Sequence, residues 1–270
     1  MNKLAYQTIT WGGVVGHPAG VTSVKDLYYL ANGSTEQALT DIAAAGYAGF
    51  ELFDGNLMQY ANREGELRDL MTRLKLELVA VYAGANFIYP EILEDELSKI
   101  EGAARFAARL GATHLVVGGG AVRASGIREA DYRLLGAGLD CVVNLAAQVG
   151  LIASFHPHLG TCAITPAQIE KVFAQTSINF CPDTAHLEAG GNDNVALIRT
   201  YADRIKYVHL KDYDSGAFLP LGQGKQDLRG ILQALRDIKY AGWITTELDA
   251  YAGHPKEAAQ ISRAFLVGGS

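Results

Sequence analysis

Seven side chains in the second half of this sequence are of the kinds that hold metal ions or move protons. They are His156 and His158, Asp183 and His186, His209 and Lys211, and Glu247. Imidazole and carboxylate donors together suit a divalent cation. Each group sits where an apolar run gives way to polar residues: Ile152-Ala153-Ser154-Phe155 before His156-Pro157-His158, Phe180-Cys181-Pro182 before Asp183, Tyr207-Val208 before His209, and Ile244-Thr245-Thr246 before Glu247. His156 and His158 share a face if extension persists through Pro157, as the proline favours. His209 and Lys211 share a face for the same reason, with His209 the deeper. Alone, an Asp-x-x-His string says little, and a single histidine in an apolar strand is usually a hydrogen-bonded core group. Four such strand ends recur within residues 151–247, and burying Glu247 without a cation would be expensive. A further carboxylate, Glu51, interrupts the apolar run Gly49-Phe50-Glu51-Leu52-Phe53. It reads equally well as half of an internal ion pair or as a group that contacts the substrate or supports another site residue.

Elements able to bring these groups together are legible in the pattern. Short β-branched or apolar runs at residues 4–10, 47–53, 76–82, 114–117, 151–156, 178–181, 205–210 and 243–248 alternate with segments of helical period. The helical segments fall at 35–45, 64–74, 91–110, 129–149, from Pro166 onward, 195–202, 228–238 and 255–265. Ser34 is the expected first N-cap, Gly46, Gly111 and Gly150 are stops, and Pro166 opens its helix where a missing N–H is harmless. Eight strand–helix units in 270 residues, with no composition break, predict one domain over residues 1–270, a closed (β/α)8 TIM barrel of the α/β class. An open doubly wound sheet is the alternative. It lacks support because Gly12, Gly13 and Gly16 do not lead directly into a helix, and Gly118–Gly120 are followed by apolar Ala121 and Val122 rather than a phosphate-binding Lys or Ser. In a barrel the chemistry lies at the C-terminal rim, where every group named above would emerge. Trp11 and Arg229, with His17, Tyr82 and Asn86, also fall near strand ends; Trp11, Arg229 and Glu51 are the expected substrate contacts.

The formal charge of -6 gives no footprint for nucleic acid or an anionic membrane, so a small polar substrate is expected. Cys141, Cys162 and Cys181 lack paired spacing, which fits a reducing cytoplasm, and the N-terminus has no signal-peptide core. The last residues, Gly268-Gly269-Ser270, carry no functional signal.

The strand-end order resembles the xylose isomerase-like TIM barrel superfamily of sugar isomerases, epimerases and dehydratases, over nearly the whole chain. The segments Tyr-Val-His-Leu-Lys-Asp from Tyr207, Leu-Pro-Leu-Gly-Gln-Gly from Leu219 and Tyr-Ala-Gly-Trp-Ile-Thr-Thr-Glu-Leu from Tyr240 are the most specific. The resemblance implies one divalent ion, Mn2+ or Co2+ before Mg2+, Zn2+ or Fe2+. Asp183, His209 and Glu247 match its ligand pattern; the strand-five ligand, a glutamate in the family's Glu-Pro-His, is here His156 in His156-Pro157-His158. The family's 3-epimerases use two glutamates as bases on opposite faces, so this departure counts against epimerisation. His-Pro-His-x-Gly-Thr, residues 156–161, instead resembles the inosose dehydratase branch. The expectation is a metal-dependent lyase: the carbonyl of a keto-cyclitol or keto-sugar is polarised, an α-proton is abstracted and a β-group leaves. His158, His186, Lys211 and Glu247 are the candidate catalytic groups. Alternatives are a keto-sugar or keto-inositol isomerase or epimerase, a subunit of a lyase that cleaves 3-keto-glycosides, an endonuclease, and a non-catalytic binding barrel. The resemblance also allows a homo-oligomer or a hetero-subunit.

Overall fold

The computed structural model describes residues 2–12 and 28–268. The strands are β1 (Leu4–Gln7), β2 (Gly49–Phe53), β3 (Glu77–Ala85), β4 (His114–Gly119), β5 (Ile152–Phe155), β6 (Asn179–Phe180), β7 (Val208–Leu210), the hairpin pair β8 (Asp212–Asp214) and β9 (Ala217–Leu219), and β10 (Ile244–Thr246). The helices are α1 (Thr35–Ala44), α2 (Asp54–Met58), α3 (Glu64–Leu74), α4 (Leu93–Arg109), α5 (Glu129–Gln148), α6 (Pro166–Phe173), α7 (Thr184–Ala189), α8 (Asn194–Thr200), α9 (Leu228–Asp237) and α10 (Pro255–Gly268). Eight strands pair in parallel in the order β6-β5-β4-β3-β2-β1-β10-β7. The bridges Phe180–Ile205 and Asp183–His209 join the two ends of that sheet, closing a (β/α)8 barrel. None of the described helices is long and apolar enough to cross a membrane.

Side-chain alternation divides the core. On β4, Leu115 and Val117 join the large cluster packed beneath the helices, whereas Val116 joins a smaller one with Ala5, Val79, Tyr82, Cys181, Tyr207 and Trp243 that fills the barrel. The helices form where the sequence caps them. Ser34 accepts from the Gln37 amide to start α1, and Thr165 with Gln168 makes a capping box around Pro166 at α6. α9 buries Leu228, Ile231 and Leu235 on one stripe, each contributing about 2 kcal/mol; Ile231→Lys would break that contact.

The strands at the rim are shorter than their apolar runs. β1 stops at Gln7 because the Gln7 side chain accepts from the Ile9 amide and turns residues 8–10 into a 3-10 helix. The run at 205–210 yields only Val208–Leu210, and 243–248 only Ile244–Thr246; His156, Asp183 and Glu247 follow their strands, whereas His209 sits within β7, paired with Thr245. Gly118 and Gly119 serve packing: a Cβ on Gly118 would lie 1.9 Å from the Tyr82 hydroxyl, and one on Gly119 2.0 Å from the Ala85 carbonyl oxygen. Gly13, Gly16 and His17 lie outside the described residues.

Candidate metal centre

The closure of β6 onto β7 decides where the ionisable groups meet. Asp183 caps α7: its Oδ1 accepts from the amides of Ala185 and His186 at 3.0 and 2.9 Å, leaving Oδ2 to face the barrel axis. The same cap places His186 on the first turn of α7, so the Asp-x-x-His string does return to one site. From the neighbouring strand ends, His156, His209 and Glu247 each offer a ligand atom, and these three atoms and one from Asp183 all lie within 4.8 Å of one another. All four residues are buried.

Their polar atoms are close without being satisfied. His156 Nε2 lies 3.5 Å from Asp183 Oδ2, and His209 Nδ1 lies 2.5 Å from Glu247 Oε2. Yet both ring nitrogens of His156, Asp183 Oδ2, His209 Nδ1 and Glu247 Oε2 make no well-aligned hydrogen bond. Five buried orphans around one point are costly unless a cation joins them. Glu51 supplies the other half of the pattern. It is fully buried, and its Oε2 lies 3.0 Å from His209 Nε2. A carboxylate only accepts, so Nε2 carries a proton, and Nδ1, which faces Glu247, can carry a second proton or present a lone pair to a metal ion. Burial works against a charged His209, but Glu51 and Glu247 outweigh it and raise its pKa to about 10. Two carboxylates thus hold this imidazole ready for positive charge, either a proton or a metal ion. The donor set of two imidazoles and two carboxylates fits a divalent cation.

Lys211 occupies the floor of the site. Its Nζ is fully buried and lies 3.2 Å from Asp183 Oδ2, 2.9 Å from Glu247 Oε1, 2.8 Å from Asp249 Oδ2 and 3.3 Å from His186 Nε2. Burial disfavours the ammonium, but Asp183, Asp249 and Glu247 prevail and hold its pKa well above the usual lysine value. Lys211 is therefore a fixed cation and not a base. Since an ammonium only donates, His186 Nε2 must accept, which puts the His186 proton on Nδ1. His158 is fixed the opposite way: its Nδ1 lies 2.7 Å from the Leu159 carbonyl oxygen, so Nδ1 carries the proton and Nε2 is a free lone pair. Burial first, then His156, lowers the His158 pKa, keeping it neutral and able to accept a proton. The rings of His158 and His186 stand 3.8 Å apart. Phe218 of the β8–β9 hairpin covers His186 edge-on at 4.8 Å and lies 4.9 Å beneath the Lys211 ammonium. Asp212 anchors this hairpin by accepting from the amides of Tyr213, Gly222 and Gly224.

Above the cluster lies a pocket of about 290 Å³. It is lined by the apolar and aromatic Ile9, Tyr29, Phe53 and Tyr82 and by the polar His156, His158, Glu247 and Asp249, with the Tyr82 ring packed against that of His156. Two expected substrate contacts do not reach it. Trp11 is turned away by the 3-10 helix after β1 and donates its indole N–H to Asp41 at 3.0 Å. Arg229 is exposed on α9, because the buried stripe of that helix begins at Leu228 and the next position points outward; it lines a separate groove with Leu4, Ile244 and Phe265. Glu51 lies beneath His209, and Asn86 is bound to Glu96. Asp249, Tyr29 and Phe53 were not singled out by the sequence. The spacing of Glu247 and Asp249 was the available signal for the first; nothing local marks the two aromatics.

A parallel barrel that buries two histidines and two carboxylates together at its C-terminal rim defines a metal-binding (β/α)8 enzyme scaffold. Residues 39–267 match the family described as xylose isomerase-like TIM barrel, and the chain belongs to that family. It is similar to the inosose dehydratase of Geobacillus kaustophilus (strain HTA426), with 26% identity over 268 residues covering 86% of each chain. Among solved structures it resembles a 3-keto-D-glucoside 4-epimerase from E. coli (TM-score 0.76, 17% identity, 99% of this chain and 100% of that one). It also resembles the IOLI protein, solved with a zinc atom (TM-score 0.77, 17% identity, 99% of this chain and 97% of that one). At those identities the structural likenesses establish the fold.

Proposed function

We propose that this chain is a divalent-metal-dependent dehydratase of keto-cyclitols or closely related keto-sugars. His156, Asp183, His209 and Glu247 would hold the ion, with Mn2+ or Co2+ best suited to the mixed nitrogen and oxygen donors. Bound there, the ion would supply electrophilic polarisation of the substrate carbonyl, which acidifies the adjacent C–H. The rest is assigned to protein groups. His158, with its Nε2 lone pair at the pocket wall, takes the α-proton. Lys211 holds Asp183, Glu247 and Asp249 in place and fixes the tautomer of His186, which packs behind His158. Phe218 keeps water from this pair. Tyr29, Phe53 and Tyr82 offer an apolar wall to the C–H face of a ring.

The observation that carries this reading is the presence of His156 at the strand-five position, in a site where His158 offers its Nε2 lone pair at the pocket wall. Glu247 Oε1 is paired with Lys211 and its other oxygen faces the candidate metal position, and Asp249 Oδ2 is paired with Lys211. Elimination needs one base, whereas two-base epimerisation needs a second on the opposite face, where the described residues offer aromatic rings. The similarity to inosose dehydratases points the same way. The test is to load the protein with Mn2+ and supply keto-inositols and ketoses separately. Growth of a dione chromophore from a keto-inositol supports dehydration; interconversion of ketose epimers without it supports an epimerase. Release of an aglycone from 3-keto-glycosides, with keto-inositols untouched, would move the leaving group from water to an alcohol.

A further inference from the structure

We propose that the Lys211 ammonium stands where a second divalent ion would bind, and that it restricts the centre to one ion. The inference rests on the reading of His156, Asp183, His209 and Glu247 as the ligands of a single ion. Removing the Lys211 charge then opens a second site, for a divalent cation that accepts imidazole and carboxylate donors, such as Co2+ or Zn2+.

A second group of donors meets beside the first. His158, His186 and Asp249 each offer a ligand atom, and these atoms lie within 4.8 Å of one another. Lys211 Nζ contacts two of the three residues: it lies 2.8 Å from Asp249 Oδ2 and 3.3 Å from His186 Nε2. It also contacts two residues of the first cluster, at 2.9 Å from Glu247 Oε1 and 3.2 Å from Asp183 Oδ2. The other oxygen of Glu247 faces the first cluster, so this carboxylate spans both positions. Carboxylates shared between two positions, with imidazoles beside them, are the donors from which paired metal centres are built. Here one of the two cations is a side chain.

The chain holds that charge in place. Lys211 directly follows β7, and both polar atoms of its backbone are tied to the first residue of α7. The Lys211 amide donates to Thr184 Oγ1 at 3.1 Å, and the Thr184 hydroxyl donates to the Lys211 carbonyl oxygen at 2.8 Å. The side chain is fully buried, and the Phe218 ring lies 4.9 Å from Nζ. A tethered ammonium cannot leave as a solvent cation can. A divalent ion sharing the same four contacts would meet it at close range in a buried site, where like charges repel strongly. His158 and His186 therefore stay uncoordinated however much metal is supplied, and the His158 lone pair remains available to substrate.

The test is the Co2+ content per chain, measured by elemental analysis after dialysis against excess Co2+ and desalting. The parent should hold one ion. Lys211→Ser, which leaves room for an ion, and Lys211→Gln, which keeps most of the side-chain length without its charge, should each hold two. Adding His186→Asn to either variant should return the count to one. Both variants are purified with Co2+ present, because loss of the ammonium leaves buried carboxylates uncompensated. One ion in both variants, or a second ion that survives His186→Asn, overturns the inference and leaves the one-ion reading of the first cluster intact. Two ions in the parent, the second lost on His186→Asn, also overturn it. A parent that retains no ion overturns the one-ion reading and this inference together.

Discussion

Replacing Glu51 separates metal positioning from metal ligation. The carboxylate touches neither the pocket nor the four-residue cluster's ligand positions directly, but it fixes His209 through a fully buried contact of 3.0 Å. Glu51→Gln keeps the volume and an amide oxygen that can still accept from Nε2, but removes the negative charge that makes Nδ1 electron-rich. Glu51→Ala removes the contact altogether and frees the ring to reorient. Loss of such a supporting partner lowers metal affinity by roughly 10- to 100-fold, or about 1.4 to 2.7 kcal/mol. The glutamine variant should fall near the lower end and the alanine variant near the upper. The assay is isothermal titration of the apoprotein with Mn2+ at fixed pH, with thermal unfolding of each apoprotein as a control for the cavity. Both variants binding Mn2+ as tightly as the parent would refute the assignment of Glu51 as the group that orients His209.

His158→Ala should reduce turnover by about 10²- to 10⁴-fold while the Mn2+ isotherm stays unchanged; a parallel loss of metal would make His158 a ligand. Glu96→Ala removes an acceptor shared by the Asn86 amide, the Asn86 side chain and the Phe87 amide. It should lower stability by about 3 kcal/mol in urea unfolding, and a change within about 0.5 kcal/mol, the range of an ordinary surface substitution, would contradict the role of Glu96 in anchoring that loop. His114, buried inside the barrel against Tyr207, has its pKa lowered by desolvation to about 4. The unfolded chain therefore binds a proton first. Stability should decline as pH falls from about 6.5 to 4, by about 3 kcal/mol in all from this residue, and His114→Phe should flatten that part of the profile.

Much of this architecture was legible because barrels repeat. Each apolar run followed by a helical segment marked one unit, and the capping signals at Ser34 and Pro166 act where their chemistry says they should. The strand bounds were harder to place, since apolar residues such as Ile205 and Trp243 are already buried before their strands begin. His156, Asp183, His209 and Glu247 could be read together because each belongs to the C-terminal end of a separate apolar run. Trp11 and Arg229 could not be placed, because a 3-10 turn set by one glutamine side chain and the phase of a helix face decide their direction. Asp249 was hidden behind Glu247, and the Tyr29–Phe53–Tyr82 wall is assembled only by folding. Glu51 was ambiguous in sequence for a plain reason: its partner, His209, is 158 residues away.

The central claim, that this cluster holds the ion on which a dehydratase depends, is tested most directly by measuring metal content and keto-inositol turnover together. The parent protein and Asp183→Ala are each exposed to Mn2+, desalted and assayed. The parent should retain one ion per chain and generate the dione, and Asp183→Ala should lose both. Undiminished turnover by Asp183→Ala without bound metal would contradict the account.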